Sequence, residues 1–148
     1  MCDLVIEESF FLRDDFNPED RVQIDLQQHL DDGVLKLCEL SSESEAEMFV
    51  DLASTLDDGE AKSLAIALSR GLAVVTDDRK ARRIFAEMGG QPDNLLSTAD
   101  VVRAWAEETA IAEDTLRLVL TRIQIRSRFM PRSTDPNHSW WNSAIKQS

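Results

Sequence analysis

The stretch "LDDGEAKSLAIALSRGLAVVTDDRKARR", residues 56–83, constrains the fold more than any other part of the chain. Asp57 and Asp58 precede a helical pattern with Ala61, Leu64, Ala65 and Leu68 on one face, and Gly71 closes it as a left-handed C-cap. Residues 72–76, "LAVVT", then read as a continuous apolar strand of the kind buried on both faces of a parallel sheet. Asp77 and Asp78 follow at once, ahead of a second helix that begins near Arg79 and ends at Gly89 and Gly90. Helix, buried strand and helix in this order require a crossover, so the chain is expected to be α/β with a central parallel sheet between helical layers. Ligand groups in such sheets collect at the carboxyl ends of strands, where Asp77 and Asp78 fall.

The rest of the chain extends the alternation. Asp3 begins a short apolar run through Ile6 of buried-strand type. "ESFFLRDD" is apolar enough for one or two helical turns, and "NPED" marks a turn or helix start at Asn17. "VQIDL" suits an extended segment as well as a helix, "DDG" is a turn signal, and residues 34–40, "VLKLCEL", read as a strand. Ser41 and Ser42 head a helix carrying Ala46, Phe49, Val50 and Ala53 at helical spacing. "NLLS" is a short strand, "TADVVRAWAEE" a helix capped by Ser97 or Thr98, and "AEDTLRLVLTRIQIRSRF" a longer helix. Residues 1–130 are expected to form one α/β domain and residues 131–148 an irregular tail that packs back on it.

With 148 residues the chain is long enough to bury a real core. No apolar run spans a bilayer and nothing reads as a signal peptide, so a soluble cytoplasmic protein is expected. The two cysteines, Cys2 and Cys38, lack metal or redox spacing and read as buried thiols. His29 and His138 are isolated and read as surface or core residues.

A net charge of −12 disfavours tight nonspecific nucleic-acid binding, but the charge is uneven. Ten acids and one base, Lys36, lie between Asp31 and Glu60. From Thr115 onward six basic residues face a single acid, Asp135, which suits self-association or an RNA backbone equally well.

The acids around the strand admit two readings. Asp57 with Glu60 has the spacing of a capping box, and Asp77 or Asp78 can cap the following helix. Alternatively Glu60, Asp77 and Asp78 meet in one pocket and bind a hard divalent cation, Mg2+ or Mn2+, which takes oxygen ligands. Arg79, Arg82 and Arg83 lie three or four apart on the adjacent helix, where they meet backbone phosphates or merely pair with the surplus acids.

The combination of "GEA" with "DDRKAR", followed by "LLSTADVVRAW", resembles the PIN domain, and in particular small prokaryotic PIN-like proteins. The resemblance is close over residues 56–107 and looser elsewhere. It implies a metal-dependent ribonuclease, often the toxin half of a toxin–antitoxin pair, with an antitoxin or a homo-oligomer as the implied protein partner. It carries over Glu60 and Asp78 as metal ligands and Asp77 as a neighbouring carboxylate, and it places a further polar site residue in the region of Ser97, Thr98 and Asp100. PIN domains open on an apolar strand ending in a central Asp ligand, whereas this sequence begins at what matches the family's second strand. An N-terminally truncated PIN-like sandwich is therefore the expectation. A catalytically silent module for protein association or RNA binding is the alternative.

Overall fold

In the computed structural model the described residues are 1, 3, 11–14, 17 and 19–146. They divide into two units, one of residues 1–9 and 25–97 and one of residues 10–24 and 98–148.

Among the described residues the first unit is built on four α-helices and a parallel strand pair. Helix α1 (Gln27–Asp31) is short and leads through Gly33 into an irregular segment. Helix α2 (Glu43–Ala53) starts at Ser42, whose side chain accepts from the Glu45 amide at 3.2 Å. The Glu45 carboxylate accepts in turn from the Ser41 amide at 2.7 Å, so one turn satisfies two helix-terminal donors. Helix α3 (Asp58–Arg70) starts at Asp57 and stops at Gly71, where φ of 63° stabilises the left-handed exit that a Cβ would strain. Strand β3 (Val74–Val75) pairs in parallel with β4 (Leu95–Leu96), and α4 (Arg79–Glu87) crosses between them. Leu52, Leu56, Leu64, Val74 and Phe85 form the core around Ala61, Ala65 and Ala81, each of which is fully buried. Those alanines permit close helix approach because they add no bulk at the contact.

The second unit contains the hairpin β1 (Phe11–Arg13) and β2 (Arg21–Gln23), followed later in the chain by α5 (Thr98–Glu108), α6 (Glu113–Ser127) and α7 (His138–Lys146). Ala99, Leu120 and Trp141, one from each helix, form its fully buried centre.

Helices α2, α3, α4, α5 and α6 lie where capping and periodicity put them, and the chain is α/β. Among the described residues, parallel pairing is confined to β3 and β4. Residues 4–6, read as a strand, lie outside the described residues. Four local expectations are corrected. Phe11–Arg13 is a strand rather than helix, because the segment after it folds into a turn. There the Asn17 amide bonds the Asp14 carboxylate at 3.0 Å and the Asp20 amide bonds the Asn17 carbonyl at 2.8 Å, which turns the chain back into β2. Residues 34–40 are not a strand. Among the described residues no strand pairs with this apolar run, whose contacts are local: the Cys38 amide donates to the Met1 carbonyl at 2.9 Å, the Met1 ammonium to the Lys36 carbonyl at 3.0 Å, and Val34 stays 72% exposed. The tail is not irregular, since His138–Lys146 is helical, and it does pack back on its own unit through Trp141. Strand β3 is also buried on one face rather than two, with Val74 inside and Val75 51% exposed.

Candidate functional site

Two helix N-termini carry the acids of interest. At the start of α3, Asp57 is extended at ψ 162° and accepts from the Glu60 amide at 2.8 Å. Glu60 is half-buried in the same first turn. At the start of α4, Asp78 accepts from the Lys80 and Ala81 amides at 2.7 and 2.9 Å, and its own amide donates to Thr76 Oγ1 at 3.1 Å. Asp77 and Asp78 are both exposed. The capping reading therefore holds for Asp57 and for Asp78. Each carboxylate sits at the N-terminus of its helix, where it satisfies first-turn amides.

The chain course brings these two helix starts together. Helix α3 ends in the left-handed exit at Gly71, β3 follows, and Asp77 and Asp78 come just beyond its end. Lys80, in the first turn of α4, closes the arrangement by donating its Nζ to the carbonyl of Thr55, two residues before Asp57. Arg82, expected to meet phosphate or to pair with the surplus acids, has partners within the fold. Its Nη1 donates to the carbonyls of Thr76 at 2.9 Å and Leu96 at 3.0 Å, clamping the carboxyl ends of both parallel strands. The Thr76 amide continues the ladder to the Leu96 carbonyl at 3.0 Å. Arg79 is exposed, and Arg83 is exposed beside Glu87 at 3.6 Å.

The three carboxylates Glu60, Asp77 and Asp78 are hard oxygen donors, the chemistry that Mg2+ and Mn2+ take. Among the described residues, however, no three His, Cys, Asp or Glu side chains are gathered as a metal-holding group. Ser97 is buried at the end of β4. Thr98 and Asp100 belong to the second unit, where the Asp100 carboxylate accepts from Asn137 Nδ2 at 2.6 Å. Lys80 and Thr55 were not legible as site residues. The only signal for Lys80 was its position in the first turn after Asp78.

A family model described as the PIN domain matches residues 6–133 of this sequence. The chain belongs to the PIN-domain family. No curated protein and no solved structure matches it. PIN-domain membership accounts for the α/β alternation. Among the described residues no helix is long and apolar enough to cross a membrane.

Proposed function

We propose that this PIN-domain protein is a metal-dependent ribonuclease in which Glu60, Asp77 and Asp78 hold Mg2+ or Mn2+. The observation that carries the reading is the Lys80–Thr55 hydrogen bond, which sets the Asp78 helix start beside the Asp57–Glu60 helix start. A larger central parallel sheet, extending the β3–β4 pair, belongs to the same reading. A divalent cation bound by these carboxylates supplies a Lewis acid for a phosphodiester and acidifies a water. Asp78 keeps its cap bonds while presenting its carboxylate group at the strand end. Arg79 and Arg83, exposed on α4, receive the phosphate backbone, and Arg82 keeps the strand ends in register beneath them. A toxin paired with an antitoxin is the biological setting that the resemblance to PIN-like proteins suggests for it.

Manganese calorimetry on the chain and on Glu60→Gln and Asp78→Asn tests the proposal, with RNA cleavage assayed on the same three proteins. Saturable binding lost in both variants, with cleavage following it, is the expected result. Absence of binding by the folded wild type overturns it and leaves the carboxylates as helix caps. A second reading, a non-catalytic PIN module that binds RNA or a protein, is favoured by the cap bonds of Asp57 and Asp78 and by the Arg82 clamp. These bonds give structural duties to side chains at both helix starts, Asp78 among them, which the nuclease reading also uses as a ligand.

A further inference from the structure

The second unit contains a cleft of about 360 Å3 between the β1–β2 hairpin and the last turn of α6. Arg13, Arg21, Arg126 and Arg128 line it against a single acid, Glu19, in a chain whose net charge is −12. Arg126 Nε donates to the Arg13 carbonyl at 2.8 Å, so hairpin and helix are tied across the floor. Arg13, Arg21 and Arg128 make no ion pair among the described residues.

Two features of this cleft are unfavourable or idle in the protein alone. First, Arg13 and Arg21 are direct cross-strand partners in the hairpin register. Like charges placed opposite one another destabilise a strand pair, and an anion between them converts the repulsion into two charge-assisted contacts. The helix dipole explains a cation at the end of α6, which covers Arg126 and Arg128, but it says nothing about this pair. Second, Phe11 lies two residues before Arg13, hence on the same face of β1, and is 47% exposed at the cleft. Guanidinium groups beside an exposed aromatic ring are the combination that holds single-stranded nucleic acid, phosphate on the cations and base on the ring. A carboxylate-bearing peptide uses the arginines but leaves Phe11 idle.

We infer that this cleft binds single-stranded RNA, a backbone phosphate lying between Arg13, Arg21 and Arg128 and a base stacked on Phe11. The inference takes its choice of RNA from the proposed function, but the site is separate from Glu60, Asp77 and Asp78 and needs no metal.

Fluorescence anisotropy of a fluorescein-labelled oligouridylate, measured in EDTA across a salt series, tests it. The proteins are wild type, Arg13→Gln/Arg21→Gln, Phe11→Leu and, as a control that removes a positive charge outside the cleft, Lys146→Gln. The double variant is expected to bind about tenfold more weakly or worse. Its plot of log affinity against log salt should flatten by about 0.7 for each phosphate that is no longer neutralised. Phe11→Leu is expected to weaken binding about fivefold or more with the salt slope unchanged, because stacking releases no counterions. Thermal unfolding reports on folding, and the double variant should melt no lower than wild type, since the like-charge pair is gone. No binding by wild type overturns the inference, as does a double variant that binds as tightly as Lys146→Gln. Equal competition by polyglutamate, with Phe11→Leu neutral, overturns it in favour of an acidic protein partner. Binding that persists in chelator while cleavage is absent in the manganese assay rejects the nuclease reading and leaves the cleft standing.

Discussion

Arg70, the last residue of α3, grips the carboxylate of Glu45 in α2 with two parallel bonds, Nε to Oε1 at 2.7 Å and Nη2 to Oε2 at 2.8 Å. The same Nη2 reaches the Glu39 carbonyl at 2.6 Å and Ser41 Oγ at 3.0 Å. One guanidinium thus ties the end of α3 to the start of α2 and to the segment before it, with Glu45 only 3% exposed. The Arg70 hydrogen bond, with the Ser41 amide second, holds the Glu45 carboxyl down at about 2 against an ordinary value of 4.5. A carboxyl depressed in the folded state adds stability above its unfolded pKa and loses it as pH falls toward its folded one. Urea unfolding between pH 6 and pH 2 should therefore show wild type losing stability from about 4.5 downward, and Glu45→Gln losing less over the same window. Equal slopes for the two proteins exclude this pair as a source of acid sensitivity.

Asp78 separates capping from ligation in a single pair of substitutions. Asn accepts the Lys80 and Ala81 amides as Asp does, whereas Ala cannot. Asp78→Ala is expected to lower stability by about 1 kcal/mol and Asp78→Asn by a few tenths. Manganese binding, if the carboxylate is a ligand, falls in both. Chemical denaturation beside calorimetry on the two variants checks this. Asn retaining full manganese affinity removes Asp78 from the ligand set.

The helical frame was readable because its signals are local. Ser42, Asp57 and Asp78 sit at cap positions, Gly71 sits at a left-handed exit, and the alanines of α3 recur at helical spacing. What local pattern could not reveal is pairing over distance. Phe11–Arg13, read as apolar enough for helix, becomes β1 because Arg21–Gln23 returns beside it. "VLKLCEL" has strand composition, but among the described residues no strand pairs with it. The tail becomes α7 because Trp141 finds a buried place against Leu120, a tertiary gain that overrides weak local preference. The site divides in the same way. The acids at the helix starts were visible as capping positions. The reach of Lys80 to Thr55 and of Arg82 to two strand carbonyls depends on long flexible side chains whose targets exist only once β3 and α4 are packed. The cleft was hidden for a simpler reason, since Arg13 and Arg126 lie 113 residues apart.

Arg82 is expected to act as a strand clamp first. Removing it in Arg82→Met leaves the Thr76 and Leu96 carbonyls without their charged donor and should cost about 1–3 kcal/mol. Arg82→Lys, with one ammonium in place of a planar fork, should restore only part of that loss. In contrast Arg79→Gln, at an exposed position, should leave stability within about 0.5 kcal/mol of wild type. Denaturation midpoints of the three variants decide it. An Arg82→Met protein as stable as wild type shows that water serves those carbonyls as well as the guanidinium does.

Trp141 is the keystone of the second unit. It is fully buried, with Phe129 edge-on at 5.5 Å and Trp140 at 6.2 Å between ring centroids. Its Nε1 is buried without a hydrogen-bond partner among the described residues. That indole N–H is a cost the fold bears in exchange for the volume of the ring. Truncation to Ala opens a cavity between α5, α6 and α7, and should cost about 3–5 kcal/mol. Substitution by Phe keeps part of the volume and deletes the unsatisfied donor, so the two effects oppose each other and the destabilisation should be well below that of Ala. Urea unfolding of both variants, followed by far-UV circular dichroism, measures the difference. A Phe variant as unstable as the Ala variant shows that ring volume outweighs the stranded donor. A Phe variant matching wild type shows that the donor's desolvation cost offsets the packing given up with the larger ring.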